Sequence, residues 1–502
     1  MLNSVDKFLK KNGPSLSSEV TGFLIQKENI SSAAARQRVS RSGGNVLRLD
    51  LSFPRRAKFL FLAEQAGTEI YWSRLEEALL KSKSAYGFAI SALRARDGIM
   101  PSFHFEIACG SPVQQKKHLS ANMVLQRLIR TNLLKETYVE GVGQCVYLGI
   151  HSNHFETLIP RLKARLLAEE LILRGLYGWL RKLGFASYNQ LKARAEGKNP
   201  IVSTTAWDLA GPSYLSPLVS FNNDSNSPNP GFVICDILLG HEVSEKDIQP
   251  FIQKLNALRS LRKVGKQLCF FVADSFSESA FKQLKAMGIS PATTSVIFDN
   301  DIGKGLNELI SLLSKVATDA ISPEKVDTIF KTLGKVEGAS NRLRGTLFEY
   351  MIAETMRSLN GSDVTLNRLC KTMNGIKEAD VISVNHRDIR FIEGKGYNRN
   401  KRVTLEEVEY WLTQQIPVFR TFCLAHPDDW SRRNLIFEFW TTGEFTPEAL
   451  ERLTTAQQLT KKYSIEFLDA QKVTDVIKQT KATSLIKTFG DHFVHEPMIF
   501  AN

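Results

Sequence analysis

Five residues draw attention for the chemistry that their types and spacing allow: Glu349, Asp380, Glu393, Gly394 and Lys395. Glu393 and Lys395 stand two apart in an apolar run, RFIEGKGY (390–397), that reads as a β-strand, so both project from one face. EADVIS (378–383) reads as a second strand, and the polar turn NHRD (385–388) between them predicts a hairpin. Across that hairpin Asp380 can face Glu393, with Glu349 reaching in from a helix. Two carboxylates beside an ammonium repel each other unless a cation joins them. Hard oxygen ligands select Mg2+ or Mn2+. Such an ion polarises a phosphate and stabilises a leaving oxyanion, while the lysine orients and activates the attacking water. The chemistry is phosphodiester hydrolysis. The bland alternative is an exposed hairpin with a salt-bridged Glu393–Lys395 pair.

The elements that must position these groups form a recurring plan. A helix over GTLFEYMIAETMRSL is followed by a long polar loop, the two strands, a helix (LEEVEYWLTQQIPVFRT), a strand (IFEFWTTGEF) and an amphipathic helix (TPEALERLTTAQQL). About 170 residues earlier the same order appears as GLYGWLRKLG, AWDLAG, FVICDILLG, EKDIQPFIQKLNALRSL, CFFVADSF and SESAFKQLKAMG, with Leu173-Arg174-Gly175 and Leu343-Arg344-Gly345 opening the two copies. Strands alternating with helices imply α/β layers, and the shared order implies duplication. Alignment places Trp179 at Glu349, Asp208 at Asp380, Asp236 at Glu393 and Leu238 at Lys395. Leucine cannot orient water and tryptophan cannot accept from a metal-bound one. The first copy is therefore expected to be silent, kept for packing or substrate binding, and a single working site cuts one strand per encounter.

Residues 341–480 resemble the PD-(D/E)xK nuclease superfamily, with Asp380 as the D and Glu393-Gly394-Lys395 as the ExK. The ending FWTTGEFTPEALERL…KKYSIEFLDAQKVTDVI is similar to that of Mrr-like restriction endonucleases. Two departures stand: many Mrr-like members carry Gln at the place of Glu393, and a proline before the aspartate is missing. The resemblance implies Asp380 and Glu393 as metal ligands, the Gly394 carbonyl as a third, Lys395 as the group positioning the nucleophile, and Glu349 as an outer ligand or acceptor for metal-bound water. It also implies a Mg2+- or Mn2+-dependent DNA endonuclease of bacterial restriction or defence against foreign DNA.

Charge separates the ends of the chain. The whole carries 65 Lys+Arg against 52 Asp+Glu, a net +13. Residues 1–135 hold 21 and 10 of these, an excess of +11, and the remainder only +2. In this basic quarter, SVDKFLKKN, LSSEVTGFLIQK and SSAAARQRVSRSGG read as helices, the third crowded by Arg36, Arg38 and Arg41 and stopped by Gly43-Gly44, and VLRLDLSF reads as a strand. Helix, helix, basic helix, wing is the order of a winged helix-turn-helix. A second round follows: WSRLEEALLK and SAYGFAISALRARDG as helices, PSFHFEIAC as a strand, NMVLQRLIRTNLLKE as a helix and QCVYLGI as a strand. A recognition helix enters the major groove while basic side chains pair with phosphates; such folds also dock proteins. The expected DNA contacts are Arg36, Arg38, Arg41, Arg55 and Arg56, with Arg399, Lys401 and Arg402 of YNRNKR beside the cleavage site.

Length and composition bound the rest. Some 502 residues, 43% apolar and 23% charged, suit a soluble chain of several domains. The expected fold is α/β (α+β): winged-helix modules over 1–75 and 76–158, a degenerate nuclease-like domain over 160–320, a nuclease domain over 325–485 and a tail over 486–502. No apolar run suits a transmembrane helix, the first residues lack a signal-peptide pattern, and six dispersed cysteines without a CxxC exclude a zinc knuckle and fit the cytoplasm. Expected partners are DNA, a second copy or a partner protein of a defence system, and no membrane. His151 and His154, like His492 and His495, read as polar helix entries rather than metal ligands, and DNDIGKG (299–305) lacks the ligands of a calcium loop. Two other readings remain: a structure-specific repair or RNA nuclease, and a non-catalytic DNA-binding scaffold.

Overall fold

The computed structural model describes residues 4–494 except 52, 188, 196–197, 222–227, 262–263, 299, 315–321, 335–338, 399–400 and 427–429. It is a mixed α/β protein of two compact units, Met1–Leu162 with Leu176–Thr293 and Lys163–Gly175 with Thr294–Asn502. Among the described residues no helix is long and apolar enough to cross a membrane, and all six cysteines are buried and unbridged.

The first unit begins with helices α1 (Ser4–Asn12), α2 (Ser17–Glu28) and α3 (Ser32–Arg41) and a sheet of β1 (Ser15–Leu16), β2 (Val46–Arg48) and β3 (Phe59–Leu62) in the order β1-β3-β2. Val5, Leu9, Val20, Leu24, Ala35, Val39, Leu60 and Leu62 form its core. Ser31 caps α3 by accepting from the Ala34 amide at 3.2 Å. The apolar stripe of α3 is narrow, Ala35 and Val39 alone, so most of its circumference faces solvent. Helices α4 (Glu69–Lys81) and α5 (Ala85–Arg94) follow, then β4 (Ile99–Pro101), α6 (Ser102–Ala108), α7 (Ala121–Arg130) and the hairpin β5 (Leu134–Val139)–β6 (Gly143–Leu148), giving the sheet β4-β6-β5. The strand expected over PSFHFEIAC is thereby corrected. Only its proline is in a strand, and the following residues form α6, whose buried His104, Phe105, Ile107 and Ala108 recur at helical spacing rather than alternating.

Helix α8 (Ile159–Lys182) leads to a five-stranded sheet. Its members are β7 (Lys192–Ala193), β10 (Leu209–Ser213), β13 (Gly231–Val243), β14 (Gln267–Phe276) and β15 (Ile289–Thr293), in that order. The first two contacts are antiparallel and the last two parallel. The short pairs β8 (Ile201–Val202)–β9 (Thr205–Ala206) and β11 (Ser220–Phe221)–β12 (Pro228–Asn229) lie in the connections. Helices α9 (Glu245–Arg259) and α10 (Glu278–Ala286) make the parallel crossovers.

The second unit contains α11 (Thr294–Ile297), α12 (Asn300–Ser314), α13 (Pro323–Leu333) and α14 (Ala339–Asn360) before a sheet of its own. That sheet runs β16 (Asp363–Thr372), β17 (Gly375–Val384), β18 (Asp388–Lys395), β20 (Asn434–Thr441) and β22 (Ser464–Leu468), again antiparallel twice and then parallel twice. The short pair β19 (Arg402–Val403)–β21 (Glu444–Phe445) flanks it. Helices α15 (Leu405–Tyr410), α16 (Ile416–Leu424), α17 (Pro447–Leu459), α18 (Ala470–Gln479) and α19 (Thr483–Phe489) complete the unit. The two sheets thus share strand number, order and direction. Three expectations are revised. Each Leu-Arg-Gly lies inside a helix, α8 or α14, rather than opening it, and the first strand of each sheet, β7 or β16, falls where a polar loop was expected. The C-terminal segment is packed rather than a tail as far as residue 494: Phe489 and Phe493 are buried, and His492 pairs with Asp327 at 2.8 Å and stacks on Phe330. His495 lies outside the described residues.

Candidate active site

The hairpin β17–β18 pairs Ile382 with Phe391 and Val381 with Ile392, then stops. One residue further on, Asp380 lies level with Glu393, and its carboxylate accepts the Gly394 amide at 2.9 Å. Lys395 Nζ donates to Glu393 Oε1 at 2.7 Å, and Gln415 Nε2 donates to Glu393 Oε2 at 3.1 Å. Glu393 is buried, whereas Asp380, Lys395 and Glu349 are half-buried. Glu349 comes from α14, which lies against β18 because that strand lacks side chains there. A Cβ on Gly394 would sit 2.8 Å from Ile352 Cδ1 and 3.7 Å from Glu349 Cγ, and one on Gly396 would sit 2.2 Å from the Arg344 carbonyl oxygen. Glu349 therefore approaches on the Gly394 side of the strand, and Glu393 turns to the other side, towards Gln415. Asp380 stands between them.

Three further side chains belong to this cluster and escaped sequence reasoning. Lys163, from α8, donates to both oxygens of Glu378 at 2.6 Å. Asn367, with its amide oriented to donate, lies 3.1 Å from Glu349 Oε2 and 3.1 Å from Glu378 Oε1. Glu378 was within reach of the sequence, since it stands two residues before Asp380 on one strand and shares its face. Nothing in the sequence pointed to Lys163, which is far off in the chain, or to Asn367, which lies in a segment read as a polar loop.

Among the described residues the cluster holds four carboxylates, Glu349, Glu378, Asp380 and Glu393, beside the ammonium groups of Lys163 and Lys395. Burial and the Glu393 charge push the Asp380 pKa up to about 7, although Lys395 and the Gly394 amide pull it down. Burial and then Asp380 hold the Glu349 carboxyl well above the usual range, against the pull of Lys163 and Lys395. For Lys395 burial works against the charge, but Glu393 and Asp380 outweigh it and raise the pKa. Lys395 is thus an ammonium at neutral pH, able to orient a water but not to take its proton.

Among the described residues no three His, Cys, Asp or Glu side chains converge into a group that could hold a metal ion. A magnesium ion does not require one, because it keeps several waters and takes one or two carboxylates together with substrate phosphates. The excess of negative charge and the raised pKa values of Asp380 and Glu349 are the electrostatic condition that a divalent cation relieves, and the donors are hard oxygens. The residues fit such an ion.

In the first copy the aligned residues occupy matching places. Ile237 donates to Asp208 at 2.7 Å, as Gly394 does to Asp380. Among the described residues both aspartates there have a cation: Arg194 binds Asp208 and Lys254 of α9 binds Asp236, although burial and Asp208 still push the Asp236 pKa up to about 6. Lys254 also donates to the carbonyls of Ile107 and Ala206, both at 2.9 Å. Asp208 and Lys254 are 0% exposed and Asp236 4%, whereas Asp380, the counterpart of Asp208, is half-buried. Leu238 is buried where Lys395 is reachable, and Trp179 packs against Phe185 and Phe270.

Of the candidate nucleic-acid contacts, Arg36, Arg38 and Arg41 are exposed on α3, with Arg38 paired to Glu28. Arg55 and Arg56 are exposed with φ of 56° and 58°, a left-handed pair that L side chains rarely adopt. Lys401 lies 3.8 Å from the centre of the Tyr397 ring, and Arg402 pairs with Glu444 at 3.1 Å. Arg399 lies outside the described residues. His151 and His154 contact each other at 3.2 Å as a pair without further ligands in a metal-holding group. Comparison of the chain with protein-family models, curated proteins and solved structures gives no match.

Proposed function

We propose that the protein is a metal-dependent DNA endonuclease whose working site is the Asp380–Glu393–Lys395 cluster, with Asp380, Glu393 and the Gly394 carbonyl holding Mg2+ or Mn2+. The observation that carries this reading is the contrast between two copies of one sheet. Among the described residues one holds four carboxylates against two ammonium groups, with Asp380 and Glu349 only half-buried; the other holds two aspartates, each buried and paired with a cation. The bound ion would supply Lewis-acid polarisation of the phosphate and charge for the developing oxyanion. Lys395, fixed by Glu393, donates to the water and aligns it with phosphorus. As the water oxygen bonds to phosphorus, the ester P–O bond breaks and its electron pair leaves with the sugar oxygen. Glu349, which the ion and Lys395 would keep as a carboxylate of raised proton affinity, takes the water's proton, and solvent protonates the leaving oxygen.

The N-terminal helices and three-stranded sheets suit winged-helix modules that grip DNA through α3 and the Arg55–Arg56 turn. Restriction or defence against foreign DNA in the cytoplasm, as a homodimer or beside a partner protein, is the setting that such a combination serves. Nicking of supercoiled plasmid by wild type and Lys395→Ala, with Mg2+ and with EDTA, tests the assignment. Cleavage should require both the ion and Lys395; cutting that survives either loss would sink it.

A further inference from the structure

The helix after β18 is interrupted. Leu405–Tyr410 and Ile416–Leu424 are α-helical, while Trp411–Gln415 between them forms a wider π turn with i→i+5 bonds. Pro417 accounts for the widening, because it has no amide for the Thr413 carbonyl and its ring crowds that oxygen. Helix α9 of the first copy is capped in the same way, by Ser244 with Asp247 as against Thr404 with Glu407. Lys254 follows its cap by ten residues and Gln415 follows its own by eleven. The extra residue of the wide turn therefore brings Gln415 to the place of Lys254. Each meets the strand carboxylate of its own copy, Lys254 on Asp236 and Gln415 Nε2 on Glu393.

The likeness ends at the remaining atoms. The Lys254 ammonium also donates to two backbone carbonyls. Gln415 is 5% exposed, and its Oε1 has no hydrogen-bond partner among the described residues. A buried amide oxygen without a donor is costly, and a water meets that need where two to four polar partners surround it. Glu393 and the Lys395 ammonium are such partners. Resting on the nuclease reading above, we propose that Gln415 is a positioning residue that holds the attacking water: Nε2 fixes Glu393, and Oε1 accepts a hydrogen bond from the water to which Lys395 donates. The silent copy lost this acceptor when a lysine took the position.

The test uses the full chain as wild type, Gln415→Met, Gln415→Lys and Lys395→Ala. Single-turnover nicking of supercoiled plasmid with Mg2+ is measured beside the Kd for DNA and the Tm. Gln415→Met keeps the side chain's length without its polar atoms, and Gln415→Lys installs the residue of the silent copy. Both should lower the rate constant by about 10- to 100-fold, with Kd and Tm unchanged. Rate and Tm falling together would mean a purely structural role and overturn the proposal, as would a Gln415→Met rate equal to that of wild type. If wild type itself cuts no better than Lys395→Ala, the nuclease reading falls and the water goes with it. If wild type and Gln415→Met cut alike, only the water is lost.

Discussion

Asp380 is charged at a cost, and the sign of that cost can be measured. Unfolded, it loses its proton near 3.8; folded, burial and Glu393 delay this to about 7. Between those values the folded chain holds the extra proton, so its stability falls as pH rises, and above the folded pKa the penalty is complete. Without divalent ions, Asp380→Asn should therefore be more stable than wild type at pH 8, on the order of 2 kcal/mol after allowing for partial solvent contact. The two should converge near pH 4. Urea midpoints at both pH values decide this, and equal stability at pH 8 would show that the cluster is not strained. Mg2+ should raise the wild-type Tm at pH 8 and leave that of the variant nearly unchanged.

Two elements owe their placement to residues with little chemistry of their own. Helix α14 brings Glu349 to the site only because Gly394 on β18 and Gly396 just beyond it leave room. Gly396→Ala should cost about 1–3 kcal/mol by pushing the helix away and should lower cleavage as well, since Glu349 moves with it; a silent alanine there would contradict the close approach. In the first copy a silent site predicts that Asp236→Ala spares the cleavage chemistry itself. The structure adds a cost in stability, because Lys254 would be left charged and buried without its carboxylate. That substitution should cost about 3–5 kcal/mol, whereas Asp236→Leu with Lys254→Met should restore most of the stability and cut plasmid as wild type does. A double variant that folds but no longer cuts would give the first copy a catalytic role.

Across the whole molecule, the basic excess and the acidic cluster lie in different parts of the chain, so grip and cleavage should separate by mutation. Replacing Arg55 and Arg56 with Ala should weaken DNA binding on all sequences and reduce the salt slope of log K by up to about 2, with the Tm response to Mg2+ intact. An unchanged slope would place the grip elsewhere. The compact units also do not follow the repeat boundaries, since Lys163–Gly175 of α8 counts with the second unit. A fragment starting at residue 294 lacks that helix and the Lys163 that neutralises Glu378, so it should be less stable than one that retains residue 163 onwards.

Local periodicity was enough to read the repeat, the pairing of Asp380 with Glu393 and the aligned place of Asp208 and Asp236 in the first copy, because strand alternation and element order are written in neighbouring residues. It also separated the basic quarter from the rest. It could not assign α6 over PSFHFEIAC, where an alternating run of aromatics hid a helical burial pattern, nor the strands within polar loops. Only the tertiary structure brought Lys163, Asn367 and Gln415 to their carboxylates, and only there did the paired, buried aspartates of the first copy and the half-buried Asp380 and Glu349 of the second become distinct. Charge balance and burial depend on what packs around a group, and no spacing in the sequence states that.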